Sequence, residues 1–423
     1  MPGAVGGNHR ANALHEAFTP TRPQRSFRKL AGRKEELRRI LEAISENRSH
    51  VVLYGERGRG KTSLVNLIAS SARSSGYAVA RFSCDAGSEL DGIIRGLARD
   101  MPRSLLAVPA VEETGLEGCE AALPRGTIQP RDIAHLPTRL SAANVLLVID
   151  EFDRVSDATT RTRLADAIKQ ISDRAAPLSF LIVGVSDSLD ALLGRHPSIQ
   201  RSVVGVPLPL LSDNECLDIL ELGAKESELN YPPQVRGKII ELARGVPYIV
   251  QLLALYAGAR ALARDADAVS AGDLHGAMQQ AVAEMDPRVR TLYDELTQGE
   301  LDRGLTALLL RLARTPHDGF ARFLVQDVDG ELRLADEPIH PVRWARMIDS
   351  GAVRACRGAG LGLHTFAEPL LLHYVLLRAE VADAHSRQNS HEGTADLAWH
   401  SHSAVLAEHG GDRLQQDRDI VPE

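Results

Sequence analysis

His50-Val-Val-Leu-Tyr54-Gly55-Glu56-Arg57-Gly58-Arg59-Gly60-Lys61-Thr62-Ser63 is the stretch that decides the fold. Its first five residues are an apolar run of strand length. The next eight fit the pattern G-x-x-x-x-G-K-[ST], and Ser63-Leu-Val-Asn-Leu-Ile-Ala-Ser-Ser-Ala72 carries apolar residues at helical spacing. Glycines let a backbone curl until its N–H groups face one point, and the following helix adds the positive end of its dipole. Such a loop suits polyphosphate. Lys61 would hold the β- and γ-phosphates of ATP, and the Thr62 hydroxyl would serve as a ligand of Mg2+. The candidate cofactor-binding set is therefore the whole loop: Gly55, Glu56, Arg57, Gly58, Arg59, Gly60, Lys61, Thr62 and Ser63.

A second run, Val145-Leu-Leu-Val-Ile149, ends in the adjacent carboxylates Asp150 and Glu151. A buried strand holds two acids at its end only for a reason, because an unpaired buried charge is costly. Paired with the glycine loop, Asp150 reads as a second Mg2+ ligand, acting through water. Glu151 reads as the group that orients or deprotonates an attacking water.

Further short apolar runs lie at Ala78–Phe82 and Phe180–Val185, and helical patterns lie near 33–46, 61–73, 88–100 and 158–172. Strands separated by helices predict an α/β core with a parallel sheet covered on both faces. Residues 101–133, rich in proline and glycine, read as an insertion or long loop. After Val206 the strand signal stops, and the capping box Ser212-Asp-Asn-Glu215 starts a run of helical patterns that includes 234–244 and 247–263. From about 291 helices mix with hairpins: Asp329-Gly330 is a two-residue turn signal, and a second hairpin would pair Val353–Cys356 with Leu361–Phe366. The division expected is a flexible, slightly basic arm at 1–28, a nucleotide-binding core at 29–208, a helical domain at 209–290, an α+β domain at 291–383, and a mostly disordered tail at 384–423. His400 and His402 in that tail have no cysteine or carboxylate frame to make them a metal site.

The chain has 423 residues, 44% hydrophobic and 25% charged, with a net charge of −7. These values fit a globular protein of several domains and argue against a general nucleic-acid coat. No apolar run reaches the roughly 18 residues that cross a bilayer. The N-terminus lacks the pattern of a secretory signal. The four cysteines, Cys84, Cys119, Cys216 and Cys356, are scattered without a C-x-x-C pair. A cytoplasmic location, with no membrane partner, is the expectation.

With these motifs in hand, the chain resembles the AAA+ superfamily of ATPases, and most of all the branch of origin-recognition-like initiators and signal-transducing STAND ATPases. Besides the two motifs, the resemblance is carried by Leu30-Ala-Gly32-Arg33-Lys-Glu-Glu-Leu37, Ser186, His196-Pro-Ser-Ile-Gln-Arg201 and Gly245-Val-Pro247. It covers about 29–265 well and 291–380 loosely. It implies a P-loop NTPase core, a helical lid and a winged-helix-like α+β domain. It also implies that Arg33 lies against the adenine, that Ser186 (with Asp187 as rival) is sensor 1, that Arg201 is an arginine finger acting in trans within a homo-oligomer, and that Pro247 belongs to the GxP turn of the lid. The sequence departs from the family in having serine at sensor 1 and no sensor 2 arginine after the GxP, although Arg244 is adjacent.

Two functional expectations follow. In one, the chain is an ATPase whose ATP and ADP states set the lid angle and so reposition the winged helix towards a partner protein. In the other it is a DNA-binding ATPase of replication, transposition or mobile-element defence that recruits or loads a partner. Arg343, Arg346, Arg354 and Arg357 motivate the second as a cluster for duplex phosphates. Ten arginines against eleven acids across 296–380 leave that domain near neutral overall.

Overall fold

A computed structural model describes residues 3–21, 32–107, 116–194, 196–298, 302–356 and 362–390. The five central strands are β1 (His50–Tyr54), β2 (Ala78–Ser83), β3 (Val145–Asp150), β4 (Leu178–Gly184) and β5 (Val203–Pro207). They form one sheet in the order β2-β3-β4-β1-β5, parallel at each pairing. Both faces are buried, which explains why the strands read as continuous apolar runs. Val52, Ala80, Leu147, Ile149, Phe180 and Ile182 pack on one side. Val51, Leu53, Val79, Leu146, Val148 and Leu181 pack on the other.

Helix α1 (Gly3–Ala17) precedes this sheet, and α2 (Lys34–Ser45), α3 (Lys61–Ser74), α4 (Leu90–Asp100), α5 (Pro130–Ala134), α6 (Ala158–Asp173) and α7 (Leu189–Leu193) lie around it. The segment expected to be an insertion is only partly loop. Cys119, Ile128 and Ile133 are fully buried in the same cluster as Leu147 and Phe180.

The arm expected at 1–28 is corrected by α1. This helix packs on α8 (Asp213–Ser227) and α10 (Pro247–Ala263), with Leu14 and Phe18 each 1% exposed. Phe18 meets the Tyr231 ring edge-on at 5.8 Å, and a Cβ on Gly223 would stand 2.1 Å from the Phe18 ring. In its described part the arm is thus a docked helix, and Leu14 and Phe18 join the core of the lid.

The lid comprises α8, α9 (Pro233–Ala243), α10 and α11 (Ala271–Ala283). Helix α8 begins with the capping box read from Ser212 and Glu215. An α+β domain follows. Its helices are α12 (Pro287–Thr297), α13 (Asp302–Arg314), α14 (Pro341–Asp349) and α15 (Pro369–Ser390). Strands β6 (Arg322–Leu324), β10 (Val353–Ala355) and β11 (Leu363–Phe366) form one small sheet. Strands β7 (Gln326–Val328), β8 (Glu331–Leu334) and β9 (Glu337–Pro338) form another. Asp329 and Gly330, at φ 54° and 84°, make the two-residue turn joining β7 to β8. Helix α15 passes the expected tail boundary at 384; residues 391–423, with His400 and His402, lie outside the described residues. No helix among the described residues is long and apolar enough to cross a membrane.

Candidate nucleotide site and its seam with the C-terminal domain

The carboxyl ends of β1, β3 and β4 meet at one edge of the sheet, where the loop after β1 turns into α3. Gly55 is held so close to the chain after β5 that a Cβ there would lie 2.8 Å from the Leu208 carbonyl oxygen. Lys61 folds back over the loop, its Nζ donating to the carbonyls of Gly55 at 2.6 Å and Glu56 at 2.9 Å. Burial lowers its ammonium pKa to about 8. Those carbonyls stand in for the phosphate oxygens such a lysine would meet.

A cavity of about 640 Å³ opens beside the loop, within the range of small-molecule sites. Arg57, Gly58, Arg59, Gly60, Lys61, Thr62, Ser63, Asp150 and Glu151 all border it, and so does Pro247 of the GxP turn. Gly245 of that turn has φ 76°, and a Cβ there would lie 2.3 Å from the Leu211 carbonyl. Sequence reasoning missed the opposite wall: Thr19, Pro20 and Thr21 after α1, with Tyr248 and Gln251 of α10. The Thr19 amide donates to the Gln251 side-chain oxygen at 3.0 Å, which ties this wall to the lid.

Both carboxylates are engaged. Asp150 is 7% exposed; its Oδ1 accepts from the Glu151 amide at 2.9 Å and its Oδ2 pairs with the Arg81 guanidinium. Glu151 sits at φ 55°, a conformation that a non-glycine residue holds only when its surroundings enforce it. Its Oε2 accepts from Ser83 Oγ at 3.0 Å and from Arg154 Nη1 at 3.0 Å. Asp153, also on the cavity, accepts from the Val185 amide at 2.8 Å and ties the end of β3 to that of β4.

Other expected site residues stand elsewhere. Ser186 turns its hydroxyl into its own loop, donating to the Ser188 carbonyl at 2.8 Å, while its neighbours Gly184 and Val185 border the cavity. Arg201 is exposed just before β5. Arg33, expected against adenine, is 4% exposed and does not border the cavity. Its guanidinium pairs with Glu36 at 2.9 Å and donates to the Pro209 and Arg59 carbonyls, so it pins the core to the chain entering the lid.

The phosphate loop faces two ways. Arg59 is 3% exposed and donates to the Gly319 carbonyl of the C-terminal domain at 3.2 Å. Glu56 pairs at 2.6 Å with Arg354 of β10, and Arg354 also pairs with Asp187 at 2.8 Å. Burial raises the Glu56 pKa, whereas the Arg354 hydrogen bond holds Asp187 below its ordinary value. Arg244 caps the last turn of α13, donating to the Arg314 and Thr315 carbonyls at 3.0 and 3.1 Å. It therefore serves the lid's junction with the C-terminal domain.

The four arginines expected to meet duplex phosphates are placed as follows. Arg354 is spent on the seam. Arg343 lies against α13, where a Cβ on Gly304 would stand 2.2 Å from its guanidinium carbon. Arg346 donates weakly to the Glu295 carbonyl at 3.4 Å, and Arg357 lies outside the described residues.

Residues 29–183 match the family described as an AAA ATPase domain. The match covers less than half of the chain, so the likeness is that of one domain within it. Nucleotide binding and ATP hydrolysis are the activity this domain brings. No curated protein matches the sequence. Among solved structures, the chain is similar to a Walker-type ATPase of Pyrococcus abyssi, with 14% identity and a TM-score of 0.53 over 84% of this chain and 99% of that one. It is also similar to the ORC2 protein of Aeropyrum pernix (16%, 0.48, 88% and 98%) and to Cdc6p from Pyrobaculum aerophilum (15%, 0.47, 88% and 98%). At this identity the first likeness is one of fold alone.

Proposed function

We propose that the chain is an ATP-driven switch in which the state of the phosphate loop decides how the C-terminal domain is held. The carrying observation is that one loop serves both: Lys61 and Thr62 border the nucleotide cavity, while Glu56 and Arg59 grip β10 and Gly319. In this reading Lys61 binds the β- and γ-phosphates. Thr62 and Asp150 supply hard oxygen donors that fit Mg2+, which would screen charge on the transferring phosphoryl group. Glu151 orients the attacking water, and Ser83 and Arg154 fix that carboxylate. Thr19–Thr21 and Tyr248 form the wall for base and ribose, and Pro247 sets the lid against them.

A switch requires that ATP and ADP bind its two arrangements with different affinity. Charge arriving at Lys61 releases the Gly55 and Glu56 carbonyls, and the Glu56 side chain is one peptide away from that change. STAND-type signalling to a partner protein is the function this arrangement supports best. The duplex-DNA alternative loses Arg354 to the seam and is the weaker reading. Arg201, exposed and outside the cavity, remains available to a neighbouring copy, so assembly would govern turnover.

The test is direct. Lys61→Ala should abolish ATP binding by calorimetry, and Glu151→Gln should bind ATP without releasing phosphate. Undiminished binding in the first variant or unchanged turnover in the second would refute the assignment.

A further inference from the structure

Arg81 has no part in the proposed function, yet it lies against Asp150 at the end of β3. From β2, one strand away, its Nη2 reaches Asp150 Oδ2, while its Nη1 donates to Asn66 Oδ1 on α3 at 2.8 Å. Its backbone amide donates to Asp100 Oδ2 at 2.8 Å, fixing the strand from which the side chain extends. Asn66 and the strand therefore aim the guanidinium, and it is not a loose surface charge. With the Glu151 amide on Oδ1, each Asp150 oxygen already has a protein donor, and the residue is almost wholly buried.

We propose that Arg81 is a positioning residue that tempers the affinity of Asp150 for a divalent cation. This rests on the reading of Asp150 as a metal carboxylate. An ionised carboxylate offers about four lone-pair sites, so Arg81 leaves room for a metal-bound water. It also places a full positive charge beside the group that must attract another cation, and on the Asp150 side that pair is largely shielded from water. The same contact keeps Asp150 from standing buried and unpaired when no metal is bound. The consequence is a metal that binds with nucleotide and leaves with it, as a switch that resets requires.

The experiment measures Mn2+ binding to the full chain in the presence of ADP, by the electron paramagnetic resonance of free Mn2+. ADP affinity is measured separately in EDTA. Arg81→Gln, which removes the charge and keeps a hydrogen-bonding side chain, should bind Mn2+ roughly tenfold more tightly, with ADP affinity in EDTA within about twofold of the parent. Arg81→Lys should stay near the parent value. Asn66→Ala, which frees the guanidinium without removing it, should show a smaller gain and provides the readout if Arg81→Gln does not fold. Unchanged or weaker Mn2+ binding in the folded variants overturns the proposal. Asp150→Asn separates the two claims: if it leaves Mn2+ binding intact, the metal role of Asp150 fails. If it weakens binding while Arg81→Gln does not strengthen it, only the role of Arg81 fails.

Discussion

Arg354 and Glu56 are 298 positions apart in the chain and 2.6 Å apart in the fold, one on a strand of the C-terminal domain and the other in the phosphate loop. Asp187, in the loop after β4, completes the contact from the other side at 2.8 Å. Arg354 thus pairs with two neighbouring carboxylates that would otherwise repel, one of them in the phosphate loop. The pair with Asp187 is partly solvated, so it should couple by about 1 kcal/mol. A double-mutant cycle of Arg354→Ala and Asp187→Asn in urea unfolding measures this. Additive effects would show that the contact holds nothing. Arg354→Ala should also speed amide exchange in β10 and in the loop at Glu56, because the seam opens there.

The helix α1 should matter both to stability and to nucleotide. Phe18→Ala removes a ring packed on Tyr231 and Gly223, which should cost about 3–5 kcal/mol. It also unseats Thr19–Thr21 from the cavity. Urea unfolding and ADP calorimetry should therefore both report the change. A variant with normal ADP affinity would remove this segment from the site.

Acid should weaken the fold through its buried histidines. His50 is fully buried, its Nδ1 accepting from the Phe180 amide at 3.0 Å, and burial lowers its pKa to about 4. His373, 2% exposed with Nδ1 at 3.0 Å from the Leu242 carbonyl, is lowered to about 4 by the same cause. Both are neutral in the fold and protonate near pH 6.5 when unfolded. Their contribution is flat above about pH 6.5, falls as the pH drops towards 4, and levels off below that, which makes a loss of about 2 kcal/mol for each at about pH 5. Urea midpoints at pH 7 and about pH 5 test this, and His50→Asn should lose less between them.

How much was legible in the sequence follows from burial. Strands β1 to β4 were visible because a parallel sheet hidden on both faces demands unbroken apolar runs. Strand β5, Val203–Pro207, is an edge strand whose Gly205 and Pro207 break up its apolar run, so the sequence shows where its signal ends, at Val206, better than where it begins. The phosphate loop and the Asp150-Glu151 pair were legible because their chemistry sits in contiguous residues. Helix α1 was hidden by Gly3, Gly6 and Gly7, which weaken helix propensity. The spacing of Leu14 and Phe18, one helical turn apart, was the available clue. Arg33, Arg59 and Arg354 could not be placed from sequence at all. A surface arginine and one that pins two domains have the same local signature, and only the tertiary partner separates them.

The central claim is that nucleotide moves the C-terminal domain, and a distance measures it most directly. Spin labels at Ser74 on α3 and Asp329 at the β7–β8 turn, both exposed, report the separation of core and C-terminal domain. In Glu151→Gln protein, ATP with Mg2+ and ADP should give different distance distributions, and Arg354→Ala should shift the ADP distribution towards the ATP one. Identical distributions with both nucleotides, in a protein shown to bind both, would contradict the switch.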